Sequence, residues 1–250
     1  RNDKREEKNV KDATENRFLA AKSWGLFSRE GTEIKDIIKA GRVSILDVSV
    51  YSKVSGEWGI KNLVIGLLAK KLLMERMFKR KIEEIEAIEA GKSYFGYEKE
   101  FKEKEEFPLI WICIDEAHEV LPKEGKTAAT DALVQLIREG RQPGISMVLA
   151  TQQPGEIHKD VITQSDIVLS HRVTAKRDIN ALNNIMQTYL RADIQRYLND
   201  LPRLKGSAII LDDNSERIYP MRVRPRLTWH GGESPTAVHI KRKELLDLGL

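Results

Sequence analysis

Two apolar runs between Pro108 and Pro154 constrain this chain more than any other feature. The first, Leu109-Ile110-Trp111-Ile112-Cys113-Ile114, ends in the acid pair Asp115-Glu116. The second, Ile145-Ser146-Met147-Val148-Leu149-Ala150, ends in Thr151-Gln152-Gln153, and a helical segment at 127–139 joins the two. Neither run alternates apolar with polar residues, and near-continuous apolar character is what a strand buried on both faces of a parallel sheet requires. The runs are therefore expected to be neighbouring strands, buried on both faces, with their polar residues gathered at the ends.

Those ends matter because ligands of open α/β sheets sit beyond the carboxyl edge of the strands. An acid ending an apolar strand can hold Mg²⁺ directly or through water, and an adjacent acid can orient or deprotonate a water for attack on a γ-phosphate. Asp115 is thus the candidate metal ligand and Glu116 the candidate base; the competing reading is that Asp115 caps the following helix. Gln152, ending the neighbouring strand, can hydrogen-bond both a γ-phosphate and the attacking water, which makes it a candidate sensor. A strand-end turn set by Pro154 and Gly155 is compatible with that role. Arg138-Glu139-Gly140-Arg141 puts two arginines at an exposed turn, where Pro143 and Gly144 end the helix. Arginine offers a planar, permanently charged fork suited to phosphate oxygens, and one supplied by a neighbouring subunit is worth roughly a thousand- to a hundred-thousand-fold in phosphoryl transfer. A surface arginine paired with Glu139 accounts for the spacing equally well. His118 completes the letters Asp-Glu-Ala-His, which also label a group of RNA and DNA helicases whose later motifs do not follow here. It could sense a nucleotide, pack or cap.

At 250 residues the chain is long enough for one large α/β domain or a domain with a helical appendage. Charged residues make up 32% with a net charge of only +4, so most of the charge is solvated surface and the basic excess is a weak pointer to a polyanionic partner. Cys113 is the one cysteine; it lies inside an apolar run and reads as a small core residue, and the lack of a disulfide framework suits a reducing cytoplasm. No apolar run approaches a membrane span and no signal peptide is evident, which gives a soluble, cytoplasmic expectation. The chain begins at Arg1 without an initiator methionine, as a fragment would. Abundant Lys and Glu resemble the composition of proteins from hot environments.

Taken in order, residues 1–40 read as an N-terminal helical segment with no assigned function. Residues 42–50 (Arg-Val-Ser-Ile-Leu-Asp-Val-Ser-Val) read as a third sheet strand, and 60–90 as a long helix, giving the strand–helix–strand rhythm of a parallel sheet. The Lys- and Glu-rich stretch 79–107 reads as a charged helical insertion, either merely solvated or a partner-binding element anchored by Tyr94, Phe95 and Tyr97. A short helix at 158–163, a strand at 166–173, helices at 176–188 and 191–199, and strands at 206–211 and 218–223 follow. The last two form a terminal hairpin whose turn is Asp212-Asp213-Asn214. A locally basic segment with Arg222, Arg224, Arg226 and His230 could face phosphates or solvent, and 236–250 is a helical tail.

Four segments in order, Ile114-Asp115-Glu116-Ala117-His118, Arg138-Glu139-Gly140-Arg141-Gln142-Pro143-Gly144, Ala150-Thr151-Gln152-Gln153-Pro154 and His171-Arg172-Val173, resemble the archaeal HerA branch of the HerA/FtsK ATPases. The closing Val223-Arg224-Pro225-Arg226 with His230-Gly231-Gly232 looks like the end of such a chain. The likeness covers most of 18–235 and leaves out the insertion at 79–107. It implies a RecA-like, mostly parallel α/β sheet flanked by helices over 41–235, in a ring-shaped homo-hexamer. Such a motor uses ATP and Mg²⁺ to translocate double-stranded DNA, typically beside a nuclease during end processing. Carried over position by position, Asp115 ligates the metal through water, Glu116 activates the attacking water, Gln152 senses the γ-phosphate and Arg141 is the trans-acting finger, with Thr151 and Arg138 as further nucleotide-binding candidates.

One part of the pattern is missing. The phosphate-binding sequence Gly-x-x-x-x-Gly-Lys-[Ser/Thr] does not occur in these residues: Gly91-Lys92-Ser93 has Glu86 where the first glycine belongs, and Gly125-Lys126-Thr127 has Val120 there. Without that loop no row of backbone N–H groups cradles the β-phosphate. The expectation is the C-terminal, hydrolytic portion of a longer ATPase, inactive by itself. Two other readings stay open: a non-hydrolysing DNA-binding or ring-assembly module, and a coupling ATPase of DNA transfer or virus packaging.

Overall fold

The computed structural model describes residues 8–53, 59–93, 107–186 and 194–228. The expected aromatic anchors Tyr94, Phe95 and Tyr97, His230-Gly231-Gly232 and the tail at 236–250 lie outside the described residues, as do 187–193, which include the end of the helix expected at 176–188 and the start of that expected at 191–199.

The organising pair is as expected: β1 (Ile110–Ile114) and β2 (Ile145–Leu149) run parallel, in register Ile110↔Ile145 through Ile114↔Leu149. The connection between them carries α4 (Thr130–Glu139), as a parallel pair requires. Preceding them are α1 (Lys8–Ser23), α2 (Ile34–Ile37) and α3 (Ile60–Ser93). The composition shift at residue 79 does not interrupt α3, which at 34 residues spans about 50 Å at 1.5 Å per residue. Ala69, Leu72 and Leu73 of α3, Ile110, Ile145, and Leu133 and Leu136 of α4 share one buried cluster. Gly66 lets α3 come this close, since a Cβ there would lie 2.7 Å from the Ala128 carbonyl oxygen.

Arg76 on α3 is buried, at 1% exposed. Its Nε donates to the Pro143 carbonyl at 2.6 Å, its Nη1 donates to the Phe107 carbonyl at 2.9 Å and pairs with Glu83 at 3.1 Å, and its guanidinium lies over the Phe107 ring. One side chain thus fastens the long helix to both the approach to β1 and the turn before β2. Burial pushes the Glu83 carboxyl up, but hydrogen bonds and charge from Arg76 and Arg80 outweigh it and hold it below its ordinary value.

After β2 come α5 (Lys159–Thr163), β3 (Ile167–His171), α6 (Lys176–Met186), α7 (Ile194–Asp200), β4 (Ser207–Asp212) and β5 (Arg217–Arg222). The expected terminal hairpin is present: β4 and β5 pair antiparallel, and Asp212 closes the turn by accepting from Asn214 N–H at 3.0 Å and Ser215 Oγ at 2.7 Å. The architecture is α/β, with parallel pairing confined to β1–β2 among the described residues. β3 joins β4 antiparallel and packs with Leu182, Ile194, Leu198, Ile209 and Leu211 in a second cluster.

Two expectations are corrected. Residues 42–50 form no strand: the chain there is irregular and ends in a 3₁₀ turn at Ser49–Lys53, with Val43 90% exposed. β-Branched side chains stabilise a strand through cross-strand packing, and no described strand lies alongside to supply it. Nor are β1 and β2 covered on both faces. Ile110, Ile112, Ile114, Ile145, Met147 and Leu149 face the helices, while the alternate residues Trp111 (71% exposed), Cys113, Ser146 and Val148 face outward. Cys113 is exposed rather than a core residue, because no described element packs on that face.

Candidate functional site

The ladder between β1 and β2 continues past both strand ends. Ala150 N–H donates to the Ile114 carbonyl at 2.9 Å, and Ala117 N–H donates to the Ala150 carbonyl at 2.8 Å. These two bonds fix Asp115 and Glu116 beside Thr151 and Gln152. Between them the backbone of Glu116 turns through the left-handed region, with φ 47°. A non-glycine residue there carries local strain, of a kind that persists where surrounding bonds impose it and that clusters at functional sites.

The two side chains expected to work together meet. Gln152 Nε2 donates to Glu116 Oε1. The other carboxylate oxygen, Oε2, is buried and accepts no hydrogen bond, and His118 Nδ1 approaches it to 3.5 Å. The same Nδ1 lies 2.9 Å from Thr151 Oγ1, which also accepts from Gln153 N–H at 3.0 Å. Of the three readings for His118, packing is the closest description of its half-buried ring, yet the ring packs against the acid and the strand end rather than into the core. Asp115 is exposed and its Oδ1 accepts from Glu116 N–H at 3.0 Å. Only a 3₁₀ turn at Ala117–Glu119 follows, so no α-helix stands behind Asp115 to be capped. Among the described residues no group of three or more His, Cys, Asp or Glu side chains gathers as for a metal.

The arginines part company. Arg138 Nη2 pairs at 2.7 Å with the buried Asp160 of α5, so its charge is used inside this chain. Neither arginine pairs with Glu139, which instead accepts from Gln135 Nε2 at 2.9 Å. Arg141 is exposed on the turn that Arg76 fastens, and its carbonyl accepts from Gly144 N–H at 3.2 Å. Gly144, at φ +83°, makes the reversal into β2.

Two contributions were not legible in the sequence. Asp178 of α6, buried, accepts from Gly155 N–H at 2.9 Å, and Arg177 pairs with Glu156 at 3.0 Å and reaches Gln153 Oε1 at 3.4 Å. α6 thereby holds the turn that follows Gln152. At the other side of the site, Lys61 of α3 hydrogen-bonds Glu119; that bond, opposed by burial, lowers the Glu119 carboxyl below its ordinary value.

No family model matches the chain. It is 23% identical over 181 residues to the DNA double-strand break repair helicase HerA of Pyrococcus furiosus, a match covering 70% of this chain and 31% of that protein. A probable DNA double-strand break repair helicase HerA of Methanocaldococcus jannaschii is 26% identical over 127 residues, covering 46% of this chain and 24% of the relative. The chain therefore spans less than a third of the length of these relatives. Among solved structures, the genome packaging NTPase B204 of Sulfolobus turreted icosahedral virus 2 in complex with sulfate aligns with a TM-score of 0.41 at 19% identity, over 50% of this chain and 56% of that one. Among the described residues no helix is long and apolar enough to cross a membrane. The chain is HerA-like: its sequence is similar to a part of the HerA helicases.

Proposed function

We propose that residues 108–154 form the hydrolytic half of the nucleotide site of a HerA-type ATPase that drives double-stranded DNA translocation from a homo-hexameric ring, beside a nuclease partner. The observation that carries this reading is the contact between Glu116 and Gln152 across the ends of two parallel strands, with Glu116 held in a strained backbone conformation. Glu116 orients and deprotonates the attacking water, Gln152 reads the γ-phosphate, and Arg141 serves the site of the adjacent subunit. Mg²⁺ keeps several waters and takes one or two carboxylates together with substrate phosphates, so a lone exposed Asp115 at a strand end suits it. When bound, the ion would polarise the phosphate oxygens. Thr151 contributes a hydroxyl at the same edge, whereas Arg138 is assigned to holding Asp160 rather than a nucleotide.

The 250 residues alone are expected to bind ATP weakly and to hydrolyse it negligibly, because they contain no glycine-rich phosphate loop. Protein expressed from the complete coding sequence should turn over ATP with Mg²⁺, and Glu116→Gln should lower kcat by about 100-fold or more, the scale of general-base catalysis. Turnover unaffected by Glu116→Gln, or equal turnover by the 250-residue chain, would overturn the assignment. The alternative of a non-hydrolysing DNA-binding module rests on the same missing loop; steeply salt-dependent DNA binding with no nucleotide effect would favour it.

A further inference from the structure

We propose that His118 is a positioning residue whose Nδ1–H group hydrogen-bonds Thr151 and faces the Glu116 carboxylate, so that the acid is held by Gln152 at one oxygen and by the imidazole N–H dipole beside the other. The inference rests on Glu116 acting as the base. Gln152 satisfies Oε1 only. Oε2 is buried without a hydrogen bond, and His118 Nδ1 approaches it to 3.5 Å.

The choice of tautomer follows from counting donors. If the ring proton is on Nε2, Thr151 donates to Nδ1, and a ring lone pair then faces a buried anionic oxygen that has no donor at all. If the proton is on Nδ1, it is donated to Thr151 Oγ1, 2.9 Å away, and Glu116 Oε2 lies 3.5 Å from the same nitrogen. The N–H dipole then faces Oε2 favourably, and Thr151 Oγ1 uses both lone pairs, one for His118 and one for Gln153 N–H. A ring lone pair facing a buried anionic oxygen is repelled by it, whereas an N–H dipole is attracted, so the Nδ1–H form is favoured. A consequence is that the Thr151 hydroxyl proton is spare, aimed away from His118, and available to a phosphate oxygen or water. His118 thereby couples the acid to the strand end that carries the sensor.

The test has two arms. On the 250-residue chain, with only five histidines to assign, ¹⁵N spectra of the imidazoles are recorded well above the ordinary histidine pKa of about 6.5. The Nδ1–H tautomer is expected for His118, and an Nε2–H tautomer overturns the proposal. On protein from the complete coding sequence, His118→Asn keeps an amide donor close to the Nδ1 position, whereas His118→Gln places it near Nε2. Asn is expected to retain turnover, while Gln and Ala lower kcat roughly 10- to 100-fold, the range met when a hydrogen-bonding partner behind a functional ligand is removed. ATP affinity should stay within about twofold and melting temperature near the parent's. Gln restoring turnover as well as Asn overturns the proposal. Failure of the base assignment itself is read separately, as turnover that survives Glu116→Gln.

Discussion

Replacing Arg76 by Met keeps most of the volume of the buried side chain and removes its charge. Two carbonyls then lose their donor: Pro143, at 2.6 Å and buried, and Phe107, at 2.9 Å and partly buried. A hydrogen bond from a charged donor is worth about 1.5–3 kcal/mol, so two of them set the scale at about 3–6 kcal/mol. Glu83 adds little, because its carboxylate is one-third exposed and re-solvates when the partner goes. For a chain of this size about 1 kcal/mol moves Tm by 2–4 °C, so Arg76→Met should melt at least about 6 °C below the parent by circular dichroism. Amide exchange should quicken at residues 140–145, the turn that Arg76 fastens. The pH dependence has a definite sign. Glu83 is depressed below 4.5 in the folded state, so its contribution is present above that value and is lost as pH falls through the folded pKa. The gap between parent and Arg76→Met should therefore narrow in acid without closing, since the backbone bonds remain. A variant that melts within about 2 °C of the parent, or a gap that widens in acid, would refute the account of Arg76.

Arg138→Ala leaves the buried Asp160 carboxylate without its cation and should cost about 1–3 kcal/mol in urea denaturation, whereas the exposed Arg141→Ala should stay within about 0.5 kcal/mol of the parent. Equal costs for the two would remove the distinction drawn between them. Cys113 in the 250-residue chain should react with a thiol reagent under native conditions at a rate near that in denaturant; full protection would mean that the outer face of β1 is covered.

How much of this was legible in the sequence depends on how local each feature is. The long helix α3, the parallel pair β1–β2 and the Asp212 turn follow from apolar periodicity, run length and side-chain turn chemistry, which act over a few residues. Residues 42–50 have strand composition, but a strand exists only where another pairs with it, and that information is not local. The unbroken apolar runs of β1 and β2 implied two covered faces, yet Trp111, Cys113 and Val148 remain outward among the described residues. At the site, Asp115, Glu116 and Gln152 stood out because polar residues end apolar strands. The left-handed backbone at Glu116, the approach of His118 to Oε2 and the capture of Arg138 by Asp160 arise from register and from packing between segments distant in sequence. No spacing rule in one chain reports them.

As proposed, one stretch carries both an acid for its own site and an arginine for the neighbour's. This is tested most directly by mixing two inactive variants of the protein expressed from the complete coding sequence, Glu116→Gln and Arg141→Ala, and measuring ATP turnover. In a randomly mixed ring of head-to-tail subunits about a quarter of the interfaces pair an intact Glu116 with an intact Arg141, so activity should reappear on mixing. An Arg141→Ala protein that turns over ATP like the parent, or a mixture no more active than its components, would contradict the claim.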